Sequence, residues 1–281
     1  MTTAGAASER SDEAFILLTD EERGLYQIVN PTVQAVIYIP PSLPHWFEDL
    51  AEAVGKGEFD VPRTVIPRAS PEEIEAWLED NLPTSPDTSP DLRGLVKTDI
   101  LTLVDHVGMI SGATRFMLRI LTAAPNSECG FHVDTVPPGA IPWGLLRVYA
   151  GAGTEFVNPM NVTSMADFYH YLSRRERLRR ERRVASDDRD KDTWERCQRE
   201  IEQLDSERAF LRRPNDIQVA PAGSTVVFKH LDVSLHWSNH AKSMAWIHSS
   251  PMAGDKRFLV NLSPDEPPHF RFRRGRGATA H

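Results

Sequence analysis

The run Cys129-Gly130-Phe131-His132-Val133-Asp134 holds the arrangement with the clearest chemical meaning in the chain. On an extended strand, residues i and i+2 project to one face, so the His132 imidazole and the Asp134 carboxylate converge on one point. Two histidines and one carboxylate form the facial triad that holds non-haem Fe(II) with three coordination positions open. A lone His-x-Asp arises often by chance, and an isolated histidine is commonly a hydrogen-bonded core residue. A third donor must therefore come from elsewhere. His248, in the β-rich run MAWIHSSP, is the first candidate, and His236, in LHWSNH, is its rival. On a helix, His236 and His240 would share a face as zinc ligands do, but no acid lies between them and Trp-Ser-Asn is poor helix material. They are read as part of a loop near a pocket mouth.

Other residues are candidates for holding substrate. Arg115, Met117, Arg119 and Leu121 alternate with Phe116, Leu118 and Ile120, giving one strand an apolar face and a face with two arginines. Arg119 could hold an anionic substrate or cosubstrate, or it could be an exposed arginine on an edge strand. Arg147, in LLRVYAG, raises the same choice. Trp143, Trp237 and Trp246 are aromatic candidates for a pocket wall. Gly151-Ala152-Gly153-Thr154 lacks the G-x-G-x-x-G frame and reads as a tight turn, not a dinucleotide site. Cys129 has no local base and reads as a small buried residue.

These residues must be positioned by the elements around them. Val33–Pro40 reads as a strand stopped by Pro-Pro, and Ser42 as the cap of a helix through LPHWFEDLAEAV. Ser70-Pro71-Glu72-Glu73 opens a second helix, with cap, Pro at the first position and acids in the first turn. PTSPDTSPD is a loop, and Leu92 to about Ile110 reads as a helix backing a sheet. After Gly112 the runs RFMLRILTAA, FHVDTV, LLRVYAGAGTEFV, DIQVA, STVVFK, MAWIHS and RFLVNLS are short and β-rich, as in a sandwich or barrel. The expected architecture is α+β: an N-terminal helical layer and a C-terminal β region. A charged helical hairpin interrupts it at about residues 165–213, with Trp194, Cys197, Ile201 and Leu204 on one stripe and Leu211 a further candidate for it.

Bulk properties narrow the classes. The chain has 281 residues, 40% hydrophobic and 26% charged, with no apolar run near the length that crosses a bilayer. Seven arginines lie between Arg174 and Arg183, but acids follow at once and the net charge is −8. A solvated, internally paired hairpin is favoured over a nucleic-acid site. Two distant cysteines and no signal-like N-terminus make a reduced cytoplasmic protein the expectation. Residues 1–12 are expected to be disordered, 13–270 to form one domain, and 271–281 to be a basic flexible tail. A homodimer is left open.

The strings CGFHVDTVP, LLRVYAGAGTEFV, TVVFKH, IHSSP and RFLVNLSPD resemble a bacterial family defined only as a domain of unknown function, from about Val33 to Asp265. More distantly, the order His132-x-Asp134, His248, then Arg257 nine residues on is similar to the 2-oxoglutarate/Fe(II)-dependent oxygenase superfamily. That resemblance implies a cupin-like double-stranded β-helix (jelly roll), Fe(II) on His132, Asp134 and His248, and 2-oxoglutarate with its far carboxylate on Arg257. It implies a dioxygenase that uses O2 on a small-molecule or amino-acid-like substrate and releases succinate and CO2. A guanidinium suits the Arg257 role because it grips a carboxylate with two parallel hydrogen bonds. Many superfamily members carry Arg-x-Ser where this chain has Arg257-Phe258-Leu259. The alternatives are a cupin-type metalloenzyme without 2-oxoglutarate, a non-catalytic metal-homeostasis protein, and a nucleic-acid-binding module.

Overall fold

The computed structural model describes residues 15–84, 91–125, 130–233, 239–242 and 244–266. Seven strands form the largest sheet: β1 (Ile16–Thr19), β2 (Ala35–Tyr38), β3 (Thr64–Ala69), β4 (Phe116–Ala123), β6 (Trp143–Ala150), β9 (Thr225–Lys229) and β12 (Arg257–Pro264). Their order is β1-β2-β9-β6-β12-β4-β3. A smaller sheet joins β11 (His248–Ser249), β7 (Thr154–Phe156) and β8 (Gln218–Ala220) in that order, while β5 (Thr135–Val136) pairs with β10 (Leu231–Asp232).

Period-2 alternation sorts the large sheet's side chains. Leu118 and Ile120 of β4 and Phe258, Val260 and Leu262 of β12 enter one core with the helices. The helices on that face are α1 (Trp46–Lys56), α2 (Pro71–Asn81) and α3 (Leu92–Ser111). In α3, Val96, Ile100, Leu103 and Val107 are buried at three- and four-residue spacing, the stripe an amphipathic helix lays on a sheet. On the other face, Ala35, Ile37, Leu146 and Phe228 of the large sheet pack with Phe156 and Ala220 of the smaller one and with Trp246, just before β11. From β4 onward the chain passes between the two sheets: β4 in the large one, His132 bridged to β11, β6 large, β7 and β8 small, β9 large, β11 small, β12 large.

The α+β class is as expected, and the helical hairpin is present as α4 (Met165–Asp187) and α5 (Lys191–Glu207). Cys197, Ile201, Leu204 and Leu178 form its seam. Many of its arginines pair with its own acids, as in Arg180–Glu176 at 2.9 Å and Arg174–Glu200 at 3.6 Å. Ser70 caps α2 in a full capping box with Glu73.

Local expectations differ in several places. The first helix starts at Trp46, with His45 at the cap position, not at Ser42. Pro44 disfavours helical geometry at the residue before it, so the helix cannot reach back to Ser42. FHVDTV and MAWIHS are largely irregular: regular pairing covers only Thr135–Val136 and His248–Ser249, plus an isolated bridge between His132 and His248. Strand β3 contains Pro67, which the edge of a sheet tolerates because no neighbour needs the missing N–H. Cys197 is a buried free thiol, whereas Cys129, residues 1–12 and the tail from 271 lie outside the described residues. Among the described residues, no helix is long and apolar enough to cross a membrane.

Candidate metal centre

His132 and His248 face each other across the isolated bridge, each giving its backbone N–H to the other's carbonyl, at 2.8 and 3.0 Å. Directly opposed residues of an antiparallel pair project to one face. Their imidazole rings accordingly sit 4.4 Å apart. Asp134, two residues along from His132, turns its carboxylate between them: Oδ1 lies 3.7 Å from His132 Nε2 and Oδ2 lies 3.9 Å from His248 Nε2. One donor atom from each of the three residues falls within 4.8 Å of the others.

Both rings are oriented by backbone carbonyls. His132 Nδ1 is 2.9 Å from the Gly130 carbonyl oxygen, and His248 Nδ1 is 3.1 Å from that of Trp246. A carbonyl can only accept, so the proton resides on Nδ1 and the Nε2 lone pair is left toward Asp134. That is the orientation outer partners impose on metal-ligating histidines. Burial, followed by the nearby His132, pushes His248 down to about 3, so it stays neutral. Burial pushes the Asp134 carboxyl up, but His248, His132, His230 and Arg119 outweigh it and hold the group below its ordinary range. The result is two imidazoles, His248 held neutral by burial, and one carboxylate, a donor set that fits Fe(II) and also Zn(II) or Mn(II).

The triad borders a cavity of about 240 Å³ walled by β4, β6 and β12. Leu121, Leu146 and Leu259 supply apolar wall, and two of the candidate arginines enter it. Arg257, 4% exposed at the start of β12, gives an Nη2 hydrogen bond to Thr154 Oγ1 at 3.1 Å. Arg119 stands opposite Asn261 across β4 and β12, and its charge reaches Asp134. Thr154 was hidden in what reads as a glycine turn, and no sequence signal marked it.

Other candidates lie elsewhere. Arg147 is on the helix side of β6, where Nη1 binds both Asp99 carboxylate oxygens at 3.0 Å and the guanidinium stacks on Phe47 and Tyr149. Trp143 packs in that same helix-side core. Neither lines the cavity, because both occupy the opposite set of alternating β6 positions from Leu146. Trp246 is fully buried behind His248, stacked on its ring at 4.4 Å and 13°, so it supports the site and does not line it. His236 lies outside the described residues. His240 meets Tyr169 of α4.

The family model for DUF1826, a protein family of unknown function, matches residues 19–262, and the chain belongs to that family. No curated protein matches the chain significantly. Among solved structures, it is similar to a dioxygenase for auxin oxidation from rice, at 14% identity and TM-score 0.38, covering 84% of this chain and 75% of that one. AviO1 from Streptomyces viridochromogenes Tue57 shares 14% identity at TM-score 0.34, over 89% of this chain and 98% of its own. A Pseudomonas putida prolyl-4-hydroxylase shares 11% at TM-score 0.28, over 80% and 93%.

Proposed function

We propose that this protein is a non-haem Fe(II)- and 2-oxoglutarate-dependent oxygenase on a double-stranded β-helix, acting on a small-molecule or amino-acid-like substrate. The observation that carries the reading is the triad: His132 and His248 with Nδ1 tied to carbonyls, and Nε2 turned with Asp134 toward a cavity that also receives a buried arginine. The chain's passage between two sheets supports the fold. The order β4-β12-β6-β9 faces the order His132 segment-β11-β7-β8, the connectivity of an eight-stranded jelly roll.

His132, Asp134 and His248 would hold Fe(II) and leave one face of it open to the cavity. When bound, the iron with 2-oxoglutarate and O2 supplies the oxidising chemistry that breaks a substrate C–H bond, with succinate and CO2 as co-products. The chain's part is placement. Arg257 keeps its charge at any working pH and would grip the cosubstrate's far carboxylate. The hydroxyl expected two residues later, in Arg-x-Ser, has a counterpart in Thr154: its oxygen accepts from Arg257, which leaves its own O–H to donate into the cavity. Arg119 would meet an anionic group of substrate or cosubstrate on the Asp134 side, and the leucine walls would exclude water.

Metal-free protein titrated with Fe(II) under anaerobic conditions, then with 2-oxoglutarate, tests the assignment. Wild type should bind both, His132→Ala should lose the metal, and Arg257→Ala should keep the metal and lose the 2-oxoglutarate. Because the donors also suit Zn(II) or Mn(II), a cupin-type metalloenzyme without 2-oxoglutarate is the second reading. It would be favoured if Arg257→Ala left 2-oxoglutarate binding unchanged.

A further inference from the structure

We infer that the inserted hairpin is a brace for the metal-ligand strand, and that Tyr171, Arg175 and Asp205 are positioning residues for His132. The inference rests on the reading of His132, Asp134 and His248 as metal ligands.

Alternation along the ligand segments turns His132 and His248 inward and their neighbours Phe131 and Ile247 outward. Those outward residues pack with Phe168, Tyr171 and Phe210 at the base of the hairpin. Within this apolar contact lies one buried ion pair: Asp205 of α5 receives Arg175 Nε at 2.9 and 3.1 Å and Nη2 at 2.9 Å. The Tyr171 hydroxyl donates to Asp205 Oδ1 at 2.6 Å. An ionised carboxylate only accepts, so Tyr171 must spend its proton there, and its lone pair takes the Phe131 N–H at 3.2 Å.

The Phe131 N–H and the Gly130 carbonyl belong to one planar peptide unit. Its N–H is held by the hairpin, and its oxygen holds His132 Nδ1 at 2.9 Å. Rotation of that plane would therefore turn the His132 ring. Gly130 permits the approach: a Cβ there would lie 2.4 Å from Arg175 Nε and 2.6 Å from the Tyr171 oxygen. A buried Arg–Asp pair contributes little net stability, so a role in fixing geometry fits it better than one in holding the hairpin together.

Tyr171→Phe removes one oxygen and keeps the ring. Co(II) binding to the metal-free full-length chain reads the effect through affinity and through the visible d–d absorption. Outer partners of metal-bound histidines are worth about 10–100-fold in affinity, so Tyr171→Phe should weaken Co(II) binding by about 10-fold and alter the spectrum. Arg175→Lys, which keeps a charge on Asp205 but loses the fork, should act in the same direction and serves if Tyr171→Phe does not fold. Arg180→Ala, on the exposed side of the hairpin, should change neither readout. Wild-type affinity and spectrum in Tyr171→Phe would overturn the brace while leaving the metal centre standing. Wild type that binds no Co(II), or binding that survives His132→Ala, would instead remove the metal centre and the brace with it.

Discussion

Two arginines that the sequence offered as candidates for the site have different surroundings. Arg257 enters the cavity beside Thr154, while Arg147 binds Asp99 on the helix side. Replacing Arg257 by Lys keeps the charge but loses the planar fork. If it grips a carboxylate through charge-assisted bonds worth about 1.5–3 kcal/mol, KM for 2-oxoglutarate should rise roughly 10- to 100-fold with a smaller change in kcat. Arg147→Met would leave Asp99 without its main partner in a largely buried position, at a cost of about 3–5 kcal/mol. Urea denaturation should record that loss, while turnover per folded molecule stays near wild type. The His132–Asp134 proximity was legible from the i, i+2 spacing alone, although only His132 of the two sits in a bridge. The fate of Arg147 and Trp143 was not, because Gly144 to Ala150 are all buried and no polar face marks which side of β6 meets the cavity.

At the scale of elements, local signals were readable where their chemistry is local. Ser70, Pro71 and Glu73 specify the start of α2 with no tertiary help, and the capping box is formed. Ser70→Ala should lower stability by about 1 kcal/mol in a urea titration, without effect on metal affinity. The seam of α4 and α5 was likewise legible from the stripe of Cys197, Ile201 and Leu204. What sequence periodicity could not show was where that hairpin docks. Its contact with Phe131 runs through Tyr171, 40 positions along the chain, which in turn bonds Asp205, 34 positions further on, and such single long-range bonds leave no repeating pattern. The ligand segments were hard for a related reason. His132 and His248 pair as one isolated bridge, too short to carry a strand's full alternating signature.

At the scale of the whole molecule, the site combines buried imidazoles with a net charge of −8 spread over the chain. Burial lowers both His248 and His230 from the ordinary value of 6.5, so the unfolded chain binds more protons than the folded one below that pH. Their contribution to stability is therefore full above about 6.5 and is lost as pH falls toward the folded-state value of about 3 for His248. The urea midpoint of the metal-free protein should accordingly fall between pH 7 and pH 4, and His248→Asn should flatten that dependence. The central claim, however, concerns iron and 2-oxoglutarate acting together at one triad. Its most direct test is succinate formation from 2-oxoglutarate in air, with and without Fe(II), by wild type and by Asp134→Ala. Slow succinate release that requires Fe(II) and disappears in Asp134→Ala is the predicted result. Wild type that forms no succinate above the protein-free control, or Asp134→Ala that forms it as fast as wild type, would contradict the account.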